Sequence, residues 1–367
     1  MQLQKRILVC PLDWGLGHAT RCIPIINLLL EKNVEVFIAA DGRPYELLKL
    51  EFPTLAFIRL KGYGIQYSNH IPMVLKMGFS IFSILKGIKE EHKLLQQIIK
   101  QHKIDVVISD NRFGLWSKNT RTIFITHQLM IKAPFWEKWI HRTNLKFINK
   151  FNECWVPDEE GSNNLSGDLS HKYALPKSTV FIGLLSRFNL KTKADNAPLD
   201  STLISKKYDV MAIISGPEPQ RTFFEKIILE QLLKEKVKAL VVRGITEKEE
   251  KKSIKRNFNE LVIVSHLKSN EMQEAIEQSE LIIARSGYST IMDMAALGKK
   301  VFFIPTKGQT EQEYLAKRLM DNGISYMQPQ REFDLRKGLL ESKKYKGFDK
   351  TAYNYELDKK LTLILNE

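Results

Sequence analysis

The sequence is poor in cysteine and has no long apolar run. Its 367 residues include only Cys10, Cys22 and Cys154, too few and too scattered for a disulfide framework or a CxxC metal site. The longest apolar stretch, residues 71–85, is interrupted by Lys76 and is shorter than the roughly 20 residues that cross a bilayer. The N-terminal segment lacks the pattern of a secretion signal. We therefore expect a cytoplasmic protein without disulfides, structural zinc or a membrane-spanning anchor.

Low-complexity segments are also absent, and the composition is that of a folded protein. Hydrophobic residues make up 43% and charged residues 27% of the chain. The length favours two domains, each with its own core. Lysine and arginine number 56 against 42 aspartate and glutamate, a net charge of +14 that favours an anionic partner. Nucleic acid, a phosphate-bearing substrate and a membrane surface all satisfy that condition.

Short β-branched runs alternate with amphipathic helical stretches in both halves of the chain. The predicted strands are residues 6–10, 34–40, 55–60, 106–109, 122–126 and 155–156, then 210–215, 239–243, 261–264, 281–284 and 301–304. The predicted helices include residues 19–32, 86–100, 222–236, 271–278, 290–297 and 312–322. This α/β pattern predicts two Rossmann-like domains with parallel sheets facing each other across a cleft. Ligands are expected beyond the carboxyl ends of the strands.

The domain boundary is predicted where a strand runs into Gly183, just before the polar stretch 189–200. We expect an amino-terminal domain over residues 1–185 and a carboxyl-terminal domain over residues 186–345. Residues 354–365 carry apolar side chains on a helical period, and we expect the segment 346–367 to form a terminal helix that docks on the domains.

The loop after the first strand contains Gly15, Gly17, His18 and Arg21 and leads directly into a helix. Glycines in such a loop let backbone N–H groups and a helix N-terminus approach an anion. Thr20 stands where a dinucleotide fingerprint needs its third glycine, which argues against NAD. The His18 imidazole could act as a general base or donate a hydrogen bond to a phosphate, or it could cap the helix.

Two loops in the second half suit a nucleotide diphosphate and its sugar. In the first, Ser215 and Gly216 turn from strand to helix, and Arg221 could pair with a phosphate or carry a solvated charge. This loop lacks the Gly-Lys-Ser/Thr ending of a Walker A motif. In the other, Gln312 and Glu313 offer paired donors and acceptors for sugar hydroxyls, or simply begin a polar helix.

The third loop of the second half is a cluster of small and hydroxyl residues. Ser286, Gly287, Ser289 and Thr290 would line a helix N-terminus that favours phosphate. Asp293, one turn into the helix, could bind the two hydroxyls of a ribose. The alternative is that Ser289 or Thr290 merely caps the helix.

These residues resemble the family 28 glycosyltransferases of the GT-B fold, a group that includes a peptidoglycan N-acetylglucosaminyltransferase. The resemblance spans nearly the whole chain. Gly15, Gly17 and His18 match the family's amino-terminal glycine-rich loop. The most specific part is the run 279–319, where the donor-site signature falls on Ala284-Arg285-Ser286-Gly287, Asp293, Pro305 and Gln312.

The resemblance implies that the carboxyl-terminal domain holds a UDP-sugar and that no cofactor or metal is needed. Ser286, Gly287, Ser289 and Thr290 would then lie near the diphosphate, Asp293 on the ribose, Gln312 and Glu313 on the sugar, and His266 and Leu267 on the uracil. The sequence departs from the family at Ser215-Gly216-Pro217, where a Gly-Gly-Ser loop is usual, and at Glu313, where the family has glutamine.

The activity implied is that of a hexosyltransferase that moves a hexose or N-acetylhexosamine to an acceptor hydroxyl by metal-independent displacement. The amino-terminal domain would supply the base that activates the acceptor. His18 is the first candidate for that base, and Asp110 and His127 are the second.

Other activities remain open at this point. The pattern Gly15, Gly17, His18 and Arg21 is also similar to a UDP-sugar hydrolase of the pseudaminic acid pathway, and UDP-sugar 2-epimerases share the architecture. The long insertion between residues 60 and 105 favours an acceptor surface and hence a transferase. A UDP-sugar sensor without activity is disfavoured by the retained His18, Asp293 and Gln312, and no nucleic-acid recognition motif is present.

The positive charge is concentrated in one part of the chain. Residues 59–150 hold 16 Lys and Arg against 5 Asp and Glu. Apolar and basic residues interleave there at 71–79 and 134–140. This pattern predicts a lipid or glycan acceptor and peripheral binding at the anionic inner face of the membrane, although solvated faces of core helices would have the same composition.

Overall fold

The computed structural model describes residues 4–62, 73–132, 137–188, 207–256, 259–351 and 354–366. The chain divides into two compact units. Unit 1 comprises residues 1–185 and 354–367, and unit 2 comprises residues 186–353. The polar stretch 189–200 lies outside the described residues, as do parts of the interleaved segments 71–79 and 134–140.

Unit 1 is built on a seven-stranded parallel sheet with the order β3-β2-β1-β4-β5-β6-β7. Its strands are β1 Arg6–Pro11, β2 Glu35–Ala40, β3 Ala56–Arg59, β4 Val106–Asp110, β5 Arg121–Ile125, β6 Glu153–Val156 and β7 Thr179–Phe181. Its helices are α1 Leu16–Glu31, α2 Gly42–Glu51, α3 Met73–His102, α4 Glu137–Ile148, α5 Asp168–His171 and, after unit 2 in sequence, α11 Tyr355–Asn366.

The central strands of unit 1 are apolar because both sheet faces are covered. Ile7, Leu8 and Val9 are consecutive in β1 and all fully buried, as expected for a parallel sheet between helix layers. The strand order reverses between β1 and β4, which makes their carboxyl ends the switch point of the sheet. Pro11 pairs with Asp110 in register, so the loop after β1 starts beside the Asp110 carboxylate.

Unit 2 contains a second seven-stranded sheet with the order β10-β11-β9-β8-β12-β13-β14. Its strands are β8 Tyr208–Ile213, β9 Lys238–Val242, β10 Lys251–Arg256, β11 Asn259–Val264, β12 Ser279–Ala284, β13 Val301–Phe303 and β14 Tyr326–Met327. Its helices are α6 Gln220–Leu232, α7 Ser269–Glu277, α8 Tyr288–Leu297, α9 Thr310–Asp321 and α10 Leu335–Glu341. All strands pair in parallel except the edge strand β10, which is antiparallel to β11.

The switch point of unit 2 lies between β8 and β12. Ala284 pairs with Ile213, so the turns that follow these two strands emerge side by side. Helix α8, which begins after β12, is almost entirely buried and ends at Gly298, whose left-handed backbone (φ 62°) closes the last turn. The turns after β8 and β12 are therefore set on rigid neighbouring elements.

The predicted parallel α/β class with two Rossmann-like sheets is confirmed. Several elements were not predicted. Strand β10 has the sequence Lys-Lys-Ser-Ile-Lys-Arg, which lacks a strand's apolar pattern, and it forms because β11 offers it a free edge. Helix α3 extends well beyond the predicted 86–100, and the short helices α2, α5 and α10 lack the long amphipathic period that identifies a helix from sequence.

Candidate functional site

In unit 1, the loop after β1 leads into helix α1 through Gly15, the N-cap residue. No described atom lies within 4 Å of where a side chain at Gly15 would begin, so the space beside it is open. The space at Gly62 is instead filled by the Asp13 carboxylate, and only glycine leaves room for it. Oδ1 of Asp13 is buried and makes no hydrogen bond with any described residue. Asp13 was not among the predicted site residues.

The three predicted base candidates of unit 1 come together around Arg21. The Nε of Arg21 donates to Oδ2 of Asp110 at 2.6 Å, its Nη1 to Nδ1 of His127 at 2.9 Å and its Nη2 to Nδ1 of His18 at 2.8 Å. Nη2 of Arg21 also donates to Oδ1 of Asp110. Nδ1 of His18 lies 3.3 Å from the same Oδ1. Arg21 is thus the centre of the cluster, a role that the sequence alone did not assign to it.

Burial and Arg21 together determine the charges in this cluster. Burial opposes ionisation of Asp110, but Arg21 and His18 outweigh it and lower the pKa of Asp110 to about 2. Burial, followed by the positive charge of Arg21, lowers the pKa of His18. The cluster therefore holds one carboxylate, one guanidinium and a neutral His18 at pH 7. Among the three predicted residues, His18 has the most exposed side chain, at 18% against 0% for Asp110.

An apolar cavity of about 660 Å³ lies in the same unit. It is lined by Ile84, Leu85, Ile88, Phe113, Ile131, Trp139, Ile140, Thr143, Asn144 and Phe147. Two contacts connect it to the cluster around Arg21. Ile88 packs against Leu12 of the loop after β1. Nδ2 of Asn144 donates to the backbone oxygens of Gln128 and Leu129, directly after His127.

In unit 2, the turn after β8 contains Ser215 and Gly216. Gly216 has a φ of +114°, which side-chain-bearing residues rarely adopt, and the space beside it is open. The structure places Arg221 in an ion-pair network rather than at an open surface. Its guanidinium pairs with Glu218 and Glu225, each at 2.6 Å.

The turn after β12 begins helix α8 at Gly287, the N-cap residue, where the space is again open. Oγ of the preceding Ser286 donates to the backbone oxygen of Gln312 at 2.8 Å, which ties this turn to helix α9. Ser289 and Thr290 lie in the first turn of α8 and are partly exposed. A helix N-terminus with glycine and hydroxyl side chains around it is suited to an anion.

The side chains of Gln312 and Glu313 hold the loop that precedes them. Oε1 of Gln312 accepts from the backbone N–H of Thr306, and Oε1 of Glu313 accepts from that of Gly308, each at 2.9 Å. After β11, His266 and Leu267 are partly buried, and Nδ1 of His266 is buried without a hydrogen-bond partner among the described residues.

Asp293 is buried in helix α8 and bound to the start of unit 2. Its Oδ1 accepts from Oγ of Ser186 at 2.8 Å, and its Oδ2 lies 3.3 Å from Nε of Arg187. Burial raises the pKa of Asp293, and Arg187 and Ser186 act in the opposite direction. The carboxylate predicted to bind ribose therefore also anchors residues 186 and 187.

The side chain of Arg285 connects loops of unit 2 that lie far apart in the sequence. Its Nη1 donates to the backbone oxygens of Ile304 and Pro305, and its Nη2 donates to Oε1 of Gln330 at 2.7 Å. Within the described part of the chain no carboxylate lies within 4 Å of this buried guanidinium, and its Nε has no hydrogen-bond partner. Burial lowers its pKa to about 9, so it remains cationic at neutral pH. Its positive charge is not neutralised locally.

The carboxyl-terminal part of the chain matches a known family profile. The profile described as "Glycosyltransferase family 28 C-terminal domain" matches residues 210–363. The similarity to family 28 glycosyltransferases is therefore located in unit 2 and helix α11. An uncharacterized glycosyltransferase of Methanosarcina mazei is 24% identical over 368 aligned residues, which cover 93% of this chain and 91% of the relative. The UDP-N-acetylglucosamine--N-acetylmuramyl-(pentapeptide) pyrophosphoryl-undecaprenol N-acetylglucosamine transferase of Haemophilus ducreyi is 22% identical, with 90% and 87% covered.

Comparison with solved structures shows which fold the chain has. The glycosyltransferase SnogD from Streptomyces nogalater matches with a TM-score of 0.62 and 13% identity over 99% of this chain and all of SnogD. SsfS6 from Streptomyces sp. SF2575, whose structure contains thymidine diphosphate, matches with a TM-score of 0.57 and 12% identity over 99% of this chain and all of SsfS6. The two parallel-sheet units therefore have the GT-B fold of these structures.

Besides Asp13, the roles of Arg285 and Arg21 were missed from the sequence. Arg285 lies inside the donor-site signature, but a single arginine there does not reveal that it lacks a carboxylate partner. Arg21 lies three residues after His18, and this spacing places both on one face of α1, which is a usable signal. No group of three histidine, cysteine or acidic side chains suited to a metal ion was found in the described ranges.

Proposed function

We propose that the glycosyltransferase transfers a hexose or N-acetylhexosamine from a UDP-sugar to an acceptor hydroxyl and that unit 2 holds the donor. The strongest support is the pair of turns at the switch point of its sheet. The space beside Gly216 and Gly287 is open, and the unneutralised Arg285 lies in the same loop system. An open turn near a buried cation is where a diphosphate gains most from binding. The name of the Haemophilus ducreyi relative supports UDP as the nucleotide.

We assign the diphosphate to the N-terminus of α8, where Ser286, Gly287, Ser289 and Thr290 lie. The partial positive charge of the helix end and the local hydroxyls would stabilise the negative charge that develops on the leaving UDP. Arg221 is already paired with two carboxylates, so we give it a structural role in the turn after β8.

The remaining donor contacts are proposed from the side chains around α8 and α9. Asp293 would bind the ribose hydroxyls while retaining its contacts to residues 186 and 187. Gln312 and Glu313 would contact the sugar through the side-chain atoms that do not bond to the backbone of Thr306 and Gly308. We place the uracil ring at the His266-Leu267 backbone, beside Nδ1 of His266, which is buried and has no hydrogen-bond partner within the described ranges.

Unit 1 would supply the base. In the proposed step, the acceptor hydroxyl gives its proton to the base, its oxygen forms a bond to the anomeric carbon, and UDP leaves with the electrons of the broken C–O bond. His18 is the best-placed candidate, because it is the most exposed of the three and its lowered pKa keeps it neutral. Asp110 is fully buried and bound by Arg21, which makes it a weak base.

The apolar cavity supports an acceptor with a hydrophobic part. It lies next to the loop that leads to His18, so an amphiphile could place its hydroxyl at the cluster and its apolar portion in the cavity. Trp139 and Leu85 are exposed at this cavity, and Arg142 and Lys146 are exposed on the same helix as Trp139. We infer peripheral binding to an anionic membrane surface, with a lipid-linked acceptor. Among the described helices, none has the length and apolar character that crossing a bilayer requires.

A screen of UDP-sugars against lipid and glycan acceptors, followed by mass spectrometry, tests this function. We expect one UDP-sugar to give UDP and a glycosylated amphiphile. We expect no product when NAD replaces the UDP-sugar. Rapid release of UDP without any acceptor would indicate the UDP-sugar hydrolase instead. An epimerised UDP-sugar would indicate a 2-epimerase. Calorimetric titration with UDP and NAD checks the ligand class, and binding of NAD without UDP would contradict the proposal.

A further inference from the structure

The hydrogen bonds around Arg21 determine which ring nitrogens of two histidines carry protons. A guanidinium has five N–H donors and no acceptor. Its Nη2 and Nη1 lie 2.8 Å and 2.9 Å from Nδ1 of His18 and Nδ1 of His127. A ring nitrogen that accepts from arginine cannot carry its own proton, because two N–H groups would then point at each other. Nδ1 must therefore be unprotonated in both rings.

We propose that Arg21 is a positioning residue that holds His18 and His127 in the tautomer protonated on Nε2. The arrangement depends on Asp110, which binds the other side of the guanidinium and fixes its orientation. It needs both the fork of an arginine and the spacing of the rings around it. A lysine has a single nitrogen and could not contact Asp110 and both imidazoles in the same geometry.

The groups that face His18 are consistent with a neutral ring in this tautomer. Arg21 on α1 and Asp110 on β4 carry opposite charges and neutralise each other. Cys22, also on α1, lies against Asp110 with its Sγ 3.8 Å from Oδ2, and burial raises the pKa of its thiol well above the usual range. His127, after β5, shares Arg21 with His18. Among these described neighbours only Asp110 bears a negative charge, and Arg21 already occupies it.

The tautomer determines whether His18 can accept the proton of the acceptor hydroxyl. This part of the inference rests on the proposed function. With its proton on Nε2, His18 can donate a hydrogen bond to a ligand oxygen but cannot accept a proton there. To act as a base at Nε2, the ring must first lose that proton and gain one on Nδ1. Oδ1 of Asp110, 3.3 Å away, is the acceptor for such an Nδ1–H. Arg21 and Asp110 thus compete for the same ring nitrogen, and this competition sets how much of the base-competent form exists.

The tautomer can be measured in the full-length protein without any substrate. Histidine labelled with ¹⁵N gives long-range ¹H–¹⁵N spectra in which protonated and unprotonated ring nitrogens differ clearly. The chain has eight histidines, and His18→Gln and His127→Gln identify the two relevant signals by their loss. At a pH of about 8, we expect both residues to show unprotonated Nδ1 and protonated Nε2.

Two variants distinguish the effect of Arg21 on the histidine tautomers from an unspecific change in the structure of unit 1. In Arg21→Lys, we expect His18 to shift towards the Nδ1–H tautomer bonded to Asp110. The matched control is Arg121→Lys, a conservative change in the same sheet at a residue that pairs with Glu153, and it should leave both histidine signals unchanged. If Arg21→Lys fails to fold, the wild-type spectrum alone decides.

A protonated Nδ1 on His18 in the wild-type protein would overturn the proposal, as would an unchanged tautomer in a folded Arg21→Lys protein. Activity gives an independent readout. If the expected tautomers are found but no UDP-sugar is turned over, the proposed function fails and the assignment of Arg21 stands. If turnover is found with the opposite tautomer, only the assignment of Arg21 fails.

Discussion

The guanidinium of Arg285 stacks over the ring of Phe224 at 3.9 Å. This contact packs the buried cation against the apolar core of unit 2, while its hydrogen bonds go to carbonyl and amide oxygens instead of carboxylates. A guanidinium without a carboxylate partner attracts a nearby anion more strongly than one that is already paired. Arg285 directly precedes Ser286 and Gly287, where we propose that the diphosphate binds.

Replacing Arg285 should therefore weaken diphosphate binding more than nucleoside binding. In Arg285→Met, we expect the ratio of UDP affinity to uridine affinity to fall on the order of tenfold, because the loss of one nearby charge acts only on the phosphates. Calorimetric titration with both ligands measures this ratio. Stability should also fall by about 2 kcal/mol, since several buried oxygens lose their donor.

Arg221→Met provides the comparison for Arg285. Arg221 is also a buried arginine of unit 2, but Glu218 and Glu225 neutralise it. Its loss should reduce stability and leave the UDP-to-uridine ratio unchanged. Equal ratios in wild type and Arg285→Met would contradict the role of Arg285, and a reduced ratio in Arg221→Met alone would show that Arg221 is the phosphate ligand.

Gly287→Ala tests the N-terminus of α8 directly. The backbone φ of Gly287 is −70°, which any residue can adopt, and the space beside it is open. Alanine should therefore change the free energy of unfolding by no more than about 0.5 kcal/mol. The added methyl group would lie where we place the diphosphate, so UDP affinity should fall on the order of tenfold. Gly161→Ala, at another open glycine but in unit 1, is the control, and similar UDP binding in all three proteins would place the diphosphate elsewhere.

The ion pair of Asp110 predicts a specific pH dependence of stability. Because its folded-state pKa lies below the ordinary value, Asp110 stabilises the fold above that ordinary pKa and this contribution is lost as pH falls towards 2. Between pH 5 and pH 3 it should fall by about 1 kcal/mol. Asp110→Asn lacks it and leaves Arg21 unpaired, at a cost of roughly 3–5 kcal/mol at neutral pH.

Urea unfolding of both proteins at pH 5 and pH 3 checks this prediction. The stability gap between wild type and Asp110→Asn should narrow by about 1 kcal/mol at the lower pH. A gap that stays constant would mean that Asp110 has an ordinary pKa in the folded protein.

Membrane binding is predicted to depend on the exposed aromatic residue at the cavity. Trp139 has 60% of its surface exposed, and a change to aspartate should reduce flotation with anionic liposomes on the order of tenfold, because an apolar contact is replaced by a repelled charge. Leu340 in unit 2 is equally exposed at 60%, which makes Leu340→Asp a matched control. If both variants lose flotation, or if neither does, membrane binding does not depend specifically on the surface around Trp139.

The sequence predicted the sheets better than the connections around them. Buried parallel strands are continuous apolar runs, so segments such as β1 and β12 are visible without a structure. Strand β10 could not be found in this way, because its charged residues contribute no pattern and its formation depends on an edge supplied by β11. Short helices such as α2 likewise depend on tertiary packing more than on local signals.

The residue types of the site were also visible, but their partners were not. A glycine-rich turn between a strand and a helix indicates an anion site, because glycine lets the backbone N–H groups approach the anion closely. Which carboxylate a given arginine meets depends on strand order. Arg21 meets Asp110 because β1 and β4 are neighbours in the sheet, although the two residues are 89 positions apart. Arg221 and Arg285 each follow a strand of unit 2, but Arg221 pairs with two carboxylates, whereas Arg285 has no carboxylate partner among the residues that the structure describes.

Helix α11 belongs to unit 1 but is synthesised after all of unit 2. Its Leu357, Leu361 and Ile364 are buried, and Lys32 of α1 pairs with its Asp358 at 2.6 Å. During translation, unit 1 therefore emerges without the helix that covers part of its surface, and it can be completed only after residues 355–366 have left the ribosome. Unit 2 is contiguous and can finish first, so the order of folding need not follow the order of synthesis.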